Sequence, residues 1–270
     1  MSRRPLPEKE PKPELAYLNE EFMTSPSARM LRVETELLEP DLRLRANDAR
    51  HTVVFFGSAR IRPPEEAKGD PVLERMAKYY EAARDLAFKL SHYSSKLPQD
   101  KQFLICSGGG PGIMEAANRG AYEAGHRSIA FGISLPFEQH INRYSTPELS
   151  FNFHYFFIRK FWFFFLTRAL VVFPGGFGTM DELFEMLTVI QTRKATKHVP
   201  VILYGREFWN EVVNIPALAK WGTISKDDLG LFTFADTTDE ALEIIRKDFE
   251  AHYLKTPNPY KSESHLPFQP

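Results

Sequence analysis

Cysteine is nearly absent: Cys106 is the sole one among 270 residues. An internal disulfide and a cysteine-cluster metal site are therefore excluded, and a reducing, cytoplasmic setting is expected. Net charge is also lacking, since 34 basic and 35 acidic side chains leave a formal charge of -1. That balance does not suit bulk electrostatic binding, so neither nucleic acid nor a membrane surface is an expected partner. Long apolar runs are missing too. The richest stretch, residues 151–173, is interrupted by Arg159, Lys160 and Arg168, short of the about 18 apolar residues that a span requires. The N-terminus has two arginines but no apolar segment behind them, unlike a secretory signal. No internal repeat is found. Phenylalanine, by contrast, is plentiful: 23 in all, eight of them in residues 151–165. That surplus must pack inside the protein or at a subunit interface.

Residues 1–50 read as an N-terminal arm. Pro5, Pro7, Pro11 and Pro13 among charges suggest a loosely docked start. Met30, Val33, Leu37 and Leu38 then suggest a short amphipathic helix within 25–39. Residues 255–270 read as an irregular tail. Between them, 51–254 alternates short apolar runs (52–56, 102–106, 128–133, 169–173, 200–204 and 231–235) with helical patterns (71–92, 112–124, 153–167, 180–193, 206–219 and 238–253). This alternation predicts one α/β domain, Rossmann-like and doubly wound, with a mainly parallel sheet flanked by helices. Ligands in such folds sit at the carboxyl ends of the strands, where the strand order reverses.

Three loops follow strands there: Gly57-Ser58-Ala59-Arg60, the SGGGPGIMEAANRG segment at 107–120, and the PGGFGTMDELFE segment at 174–185. Glycine-rich turns into helix starts suit an anion such as phosphate, through free N–H groups and the helix dipole. They equally suit plain tight turns. Neither G-x-G-x-x-G nor G-x-x-x-x-G-K-[ST] is present, because Ile113 and Asp181 occupy the sixth positions of the two candidate runs. Thr179-x-x-Glu182 fits a capping box, with Met180, Leu183, Phe184 and Leu187 as the buried stripe behind it. Against that reading stand two carboxylates, Asp181 and Glu182, beside a loop suited to phosphate. Arg159 and Lys160 lie among aromatics, and a guanidinium there is costly unless it is paired or reaches a site. His140, His154, Arg60 and Cys106 carry no pattern that assigns them a role. Ser58 lies in no G-x-S-x-G elbow.

The stretch PGGFGTMDE at 174–182 resembles PGGxGTxxE, the signature of the LOG ("Lonely guy") family of nucleoside-monophosphate phosphoribohydrolases, often mislabelled lysine decarboxylases. The likeness spans roughly residues 50–250. It includes GSAR at 57–60, GGGPGIMEAANRGA at 108–121, and an Arg-Lys pair placed so that Arg159 and Glu182 stand 23 positions apart, as the family's catalytic pair does. The chain is longer than compact members and is similar to a larger bacterial branch. Of their polar segment before the signature it keeps only Arg159 and Lys160, and LPFEQHINRYS at 135–145 replaces a basic stretch.

The resemblance implies hydrolysis of the N-glycosidic bond of a nucleoside 5′-monophosphate (AMP or a cytokinin riboside monophosphate) to free base and ribose 5-phosphate. It implies Arg159 and Glu182 as catalytic residues. Binding would fall to Gly57, Ser58, Gly108, Gly109, Gly110, Met114, Glu138, Asn142, Lys160, Gly175, Gly176, Phe177, Gly178, Thr179, Met180, Asp181 and Thr188. No cofactor and no metal is expected, and no Schiff-base lysine is identified. A homodimer or higher homo-oligomer is implied, with the aromatic helix 151–167 partly covered by a partner copy. The alternative is a non-catalytic nucleotide or cofactor carrier or sensor of the same fold.

Overall fold

The structure, a computed structural model, describes residues 12–135, 140–195 and 197–255. The expectations for residues 1–11, for Glu138 and for the tail from 256 onward lie outside them. The chain divides into two compact units, residues 1–42 and 43–270. In the first, Asn19 caps α1 (Glu20–Thr24) by accepting from the N–H of Phe22. Arg32, from α2 (Arg29–Ala46), donates to the carbonyls of Met23 and Ser25 at 2.7 Å and fixes the turn between the helices.

The second unit holds a seven-stranded, all-parallel sheet. Its strands are β1 (Thr52–Phe56), β2 (Leu104–Ser107), β3 (Ser128–Ile133), β4 (Ser150–Phe153), β5 (Thr167–Val172), β6 (Val201–Tyr204) and β7 (Thr233–Ala235). They are ordered β4-β3-β2-β1-β5-β6-β7. The helices between them are α3 (Pro64–Ala67), α4 (Pro71–Ser95), α5 (Ile113–Glu123), α6 (Phe156–Leu166), α7 (Phe177–Gln191), α8 (Arg206–Val212), α9 (Ile215–Lys220) and α10 (Thr238–Asp248). The fold is thus the Rossmann-like α/β sheet that the alternation of elements predicts.

Every residue of β1 is buried, as a central strand covered on both faces must be. Val53 and Phe55 point to one face, with Ile105, Val171 and Ile202 beside them. There they meet Tyr80, Ala83, Leu86 and Leu90 of α4, Ala117 of α5 and Ile245 of α10. On the other face Phe56 meets Phe163 of α6 edge-on at 4.8 Å, and Phe131 meets the same ring at 5.3 Å. Each such buried ring contributes about 1.5–3 kcal/mol relative to exposure. Part of the phenylalanine surplus is thereby placed.

Three boundaries differ from expectation. The SFNF segment at 150–153 forms β4, pairing with β3, and α6 begins only at Phe156. In sequence its aromatics merge with those of the helix, so the strand is not separable by periodicity. The region 206–219 is two helices, broken where Asn214 caps α9. The last helix ends at Asp248 and continues as a π-helical turn, Phe249–Tyr253.

Candidate active site

From β1 the chain winds outward through β2, β3 and β4, then returns to pair β5 on the other side of β1. The strand order therefore reverses between β1 and β5, and the loops leaving their carboxyl ends diverge and open a crevice. Ser58 donates its N–H to the carbonyl of Pro174 at 3.0 Å, tying the loop after β1 to the loop after β5. The carbonyl of Ser58 in turn accepts from the N–H of Ile113 at 3.1 Å, bringing in the start of α5. Gly112 makes this approach possible. It holds φ at +73°, and a Cβ there would overlap the backbone of Ser58 and Ala59.

The resulting cleft has a volume of about 490 Å³, a size typical of small-molecule sites. It gathers Gly57, Ser58, Gly109, Gly110 and Met114 from the first two loops. Arg159 enters from α6, and Gly176, Phe177, Gly178, Thr179, Asp181 and Glu182 come from the start of α7. Six other expected residues do not line it. Gly108 lies beneath Arg159, and Gly175 packs against the side chain of Thr179. Asn142 braces the second loop: its N–H donates to Gly109 at 2.7 Å and its amide to Asn118 at 3.0 Å. Lys160 points to Asp181 and Glu185, at 2.7 and 2.6 Å. The N–H of Met180 is spent on the carbonyl of Gly176, and the hydroxyl of Thr188 on the carbonyl of Phe184.

The capping-box reading fails. Helix α7 starts at Phe177 with Gly176 as N-cap, and no side chain caps it. Thr179 and Glu182 are therefore inside the helix. The inward stripe becomes Thr179, Glu182, Leu183 and Met186, while Phe184 is exposed, not buried as expected. Starting the helix three residues early rotates the carboxylate into the position of a core residue. The first N–H groups of a helix have no partner within it, and Gly176, Phe177, Gly178 and Thr179 at this helix start line the cleft. A Cβ at either glycine would meet nothing within 4 Å, so packing does not demand glycine there.

Glu182 is 7% exposed, and its Oε2 has no hydrogen-bond partner. Burial raises its pKa to about 7. The charges of Arg159 and Lys160 limit the rise, while Glu185 and Asp181 add to it. Arg159 is held by its Nε–H donating to the carbonyl of Phe131 at 2.7 Å and by the Phe163 ring, 5.2 Å from its guanidinium carbon. Burial opposes the charge on Lys160, but its bonds to Asp181 and Glu185 prevail, and its pKa is raised. The cleft thus has a polar end at α7, a buried carboxylate beside a fixed guanidinium, and an apolar wall of Ile133, Leu135, Ile141 and Phe156.

Sequence reasoning missed that wall, and Asn152 with it. The signal was position: Ile133 ends β3, and Asn152 lies on the strand hidden among the aromatics. Arg60 and His140, given no role from sequence, also line the cleft.

No curated protein matches the chain. Among solved structures it is similar in fold to TM1055, a structural-genomics target, at 21% identity over 73% of this chain and 99% of that one, with a TM-score of 0.49. A molybdenum cofactor binding protein from Rippkaea orientalis is 15% identical, over 74% of this chain and 96% of that one, with a TM-score of 0.48. The Moco carrier protein from Chlamydomonas reinhardtii is 17% identical, over 75% and 99%, with a TM-score of 0.46. A family model described as "Possible lysine decarboxylase" matches residues 114–245, which include Arg159, Glu182 and the loop between β5 and α7. That matched segment contains the 174–182 signature that resembles the LOG family.

Proposed function

We propose that the protein hydrolyses the N-glycosidic bond of a nucleoside 5′-monophosphate, AMP or a modified adenine analogue, to free base and ribose 5-phosphate. One observation carries this reading: a buried carboxylate, Glu182, faces the cleft with an oxygen lacking any partner. Leaving a buried acceptor unsatisfied costs about 1–3 kcal/mol, which a site serving only to bind an anion has no reason to bear. The phosphate would accept from the free N–H groups at the start of α7. The base would lie along the apolar wall, placing the ribose beside Glu182.

As the C1′–N bond breaks, its electron pair leaves with the base and positive charge grows on the ribose, as in glycoside hydrolysis. Ionised Glu182 stabilises that charge and accepts a proton from the water whose oxygen bonds to C1′. Arg159 stays protonated throughout. It keeps Glu182 ionisable near neutrality and stabilises charge on the departing base, which takes up a proton. Phosphate binding at a distance holds the reacting bond in place.

We extend the proposal to a homodimer or larger assembly acting on its small-molecule substrate without nucleic acid or a membrane. Among the described residues no helix is long and apolar enough to cross a membrane. Phe156, Phe157, Phe161 and Phe165 form an exposed stripe along α6, and Phe177 at the cleft rim is 96% exposed. A second copy covering this stripe would explain it. Elution as a monomer in light scattering would overturn that part.

The central test incubates the protein with a panel of purine and pyrimidine monophosphates and follows free base by chromatography. Release of base that requires Glu182 and Arg159 is expected. Tight binding of intact nucleotide without turnover would instead establish a carrier.

A further inference from the structure

Away from the cleft, one group of side chains has the chemistry of a metal site. His198 lies just before β6, Asp248 ends α10, and His252 sits one turn later in the π-helical segment. Among the described residues this is the one place where three such side chains converge, each offering a ligand atom within 4.8 Å of the others. His198 Nε2 and Asp248 Oδ2 are 2.6 Å apart. The two imidazoles lie with their centroids at 4.2 Å, tilted by 40°.

We propose that His198, Asp248 and His252 bind a divalent transition metal ion of the zinc type. Two imidazoles and one carboxylate are a borderline donor set that favours zinc, or cobalt in its place, over magnesium or calcium. Around a tetrahedral ion with bonds of ~2.1 Å, donors stand roughly 3.4 Å apart, so small side-chain rotations close the site and leave a fourth position for water. Its frame is rigid. Asp248 and His252 are four residues apart and share one face, while Phe249 and Tyr253 are buried on the other side of the same turn. His198 comes from a different part of the chain. The ion would therefore clamp the last helical turn to the segment that enters β6.

This clamp lies at the amino-terminal end of the sheet, whereas the catalytic cleft opens at the carboxyl ends. Its role is structural and independent of the nucleotide chemistry. Because the ion binds the folded chain across two distant segments, it must raise thermal stability by linkage.

The test uses the full chain without a histidine tag, stripped with a chelator and titrated with Zn²⁺ by calorimetry at neutral pH. One equivalent is expected to bind at micromolar or tighter affinity, raising Tm, with no comparable effect of Mg²⁺. Cobalt should give the intense visible absorption of tetrahedral coordination. His198→Ala and His252→Ala should each weaken zinc binding by at least about tenfold, and the double variant should lose the site. His154→Ala is the control and should change nothing. Base release from AMP should not respond to any of these changes. Equal zinc binding by wild type and the double variant would overturn the proposal, as would no binding by wild type at about 100 µM zinc.

Discussion

The guanidinium of Arg159 rests on Gly108: a Cβ at that glycine would stand 2.7 Å from Nη2. The glycine-rich loop after β2 thus seats the arginine as well as shaping the cleft. Gly108→Ala must push Arg159 aside, along with the end of the Met114 side chain. A displacement of about 1 Å at a reacting centre can cost on the order of 100-fold. We expect kcat for AMP to fall by roughly that factor while the circular dichroism spectrum is unchanged. Wild-type turnover would show that Arg159 does not act from this position.

Glu182 should set the pH dependence. With its pKa near 7, kcat/KM should rise through neutrality to a plateau as the carboxylate ionises. Lys160 is among the charges that hold this value down, so Lys160→Met should move the midpoint upward relative to wild type. Comparing the two profiles cancels the ionisation of the substrate phosphate. Glu182→Gln should lose about 100-fold or more in kcat.

The same carboxylate should weaken the fold. Its folded pKa exceeds its unfolded value of 4.5, so the native state holds a proton that the unfolded chain has released. Between about pH 4.5 and 7 stability should therefore fall as pH rises. Glu182→Gln removes this penalty and should raise stability at pH 8 by ~3 kcal/mol. Thermal melts should show the gain shrinking toward pH 5. A variant no more stable than wild type at pH 8 would argue against a strained carboxylate.

Two neighbouring glycines should separate folding from binding. At Gly175 a methyl group would overlap the side chain of Thr179, whereas at Gly176, with φ at −93°, it would meet nothing. Gly175→Ala should lower Tm by several degrees. Gly176→Ala should leave Tm unchanged but raise KM for the nucleotide about tenfold, because its methyl group would stand where the proposed phosphate approaches. Equal KM values for wild type and Gly176→Ala would place the phosphate elsewhere.

Acid should act through His51 at the far end of β1. Burial, then the positive charges of Arg168, Lys101, Lys197 and Arg50, lower its pKa to about 3. Its unfolded value is 6.5, so the unfolded chain takes up a proton that the native state refuses, and stability should fall as pH drops from 6.5 toward 3. Glu182 works in the opposite sense over part of this range. The effect is therefore best read in the Glu182→Gln background, where His51→Gln should flatten the loss in melts across the window.

The α/β class, β1 and β3, and the loops that meet at the cleft were legible in the sequence. Continuous apolar runs betray strands buried on both faces, and glycine clusters mark the turns that follow them. That Arg159 and Glu182 meet at the cleft was legible through their spacing and signature. The boundary at Tyr155 was not, because aromatic residues serve a strand and a helix equally well, so β4 and the cleft residue Asn152 stayed hidden. Nor was the start of α7, since Thr179-x-x-Glu182 satisfies the local rule for a cap.

Local chemistry alone determined that this chain would fold as an alternating α/β domain with anion-suited turns. Tertiary structure decided which turns share a crevice, because strand order depends on packing between distant segments. It turned Glu182 inward, since the helix begins at Phe177, three residues before the position that a capping side chain at Thr179 would set. It also brought His198 to Asp248 and His252 across fifty residues of chain, a meeting that no local spacing could announce.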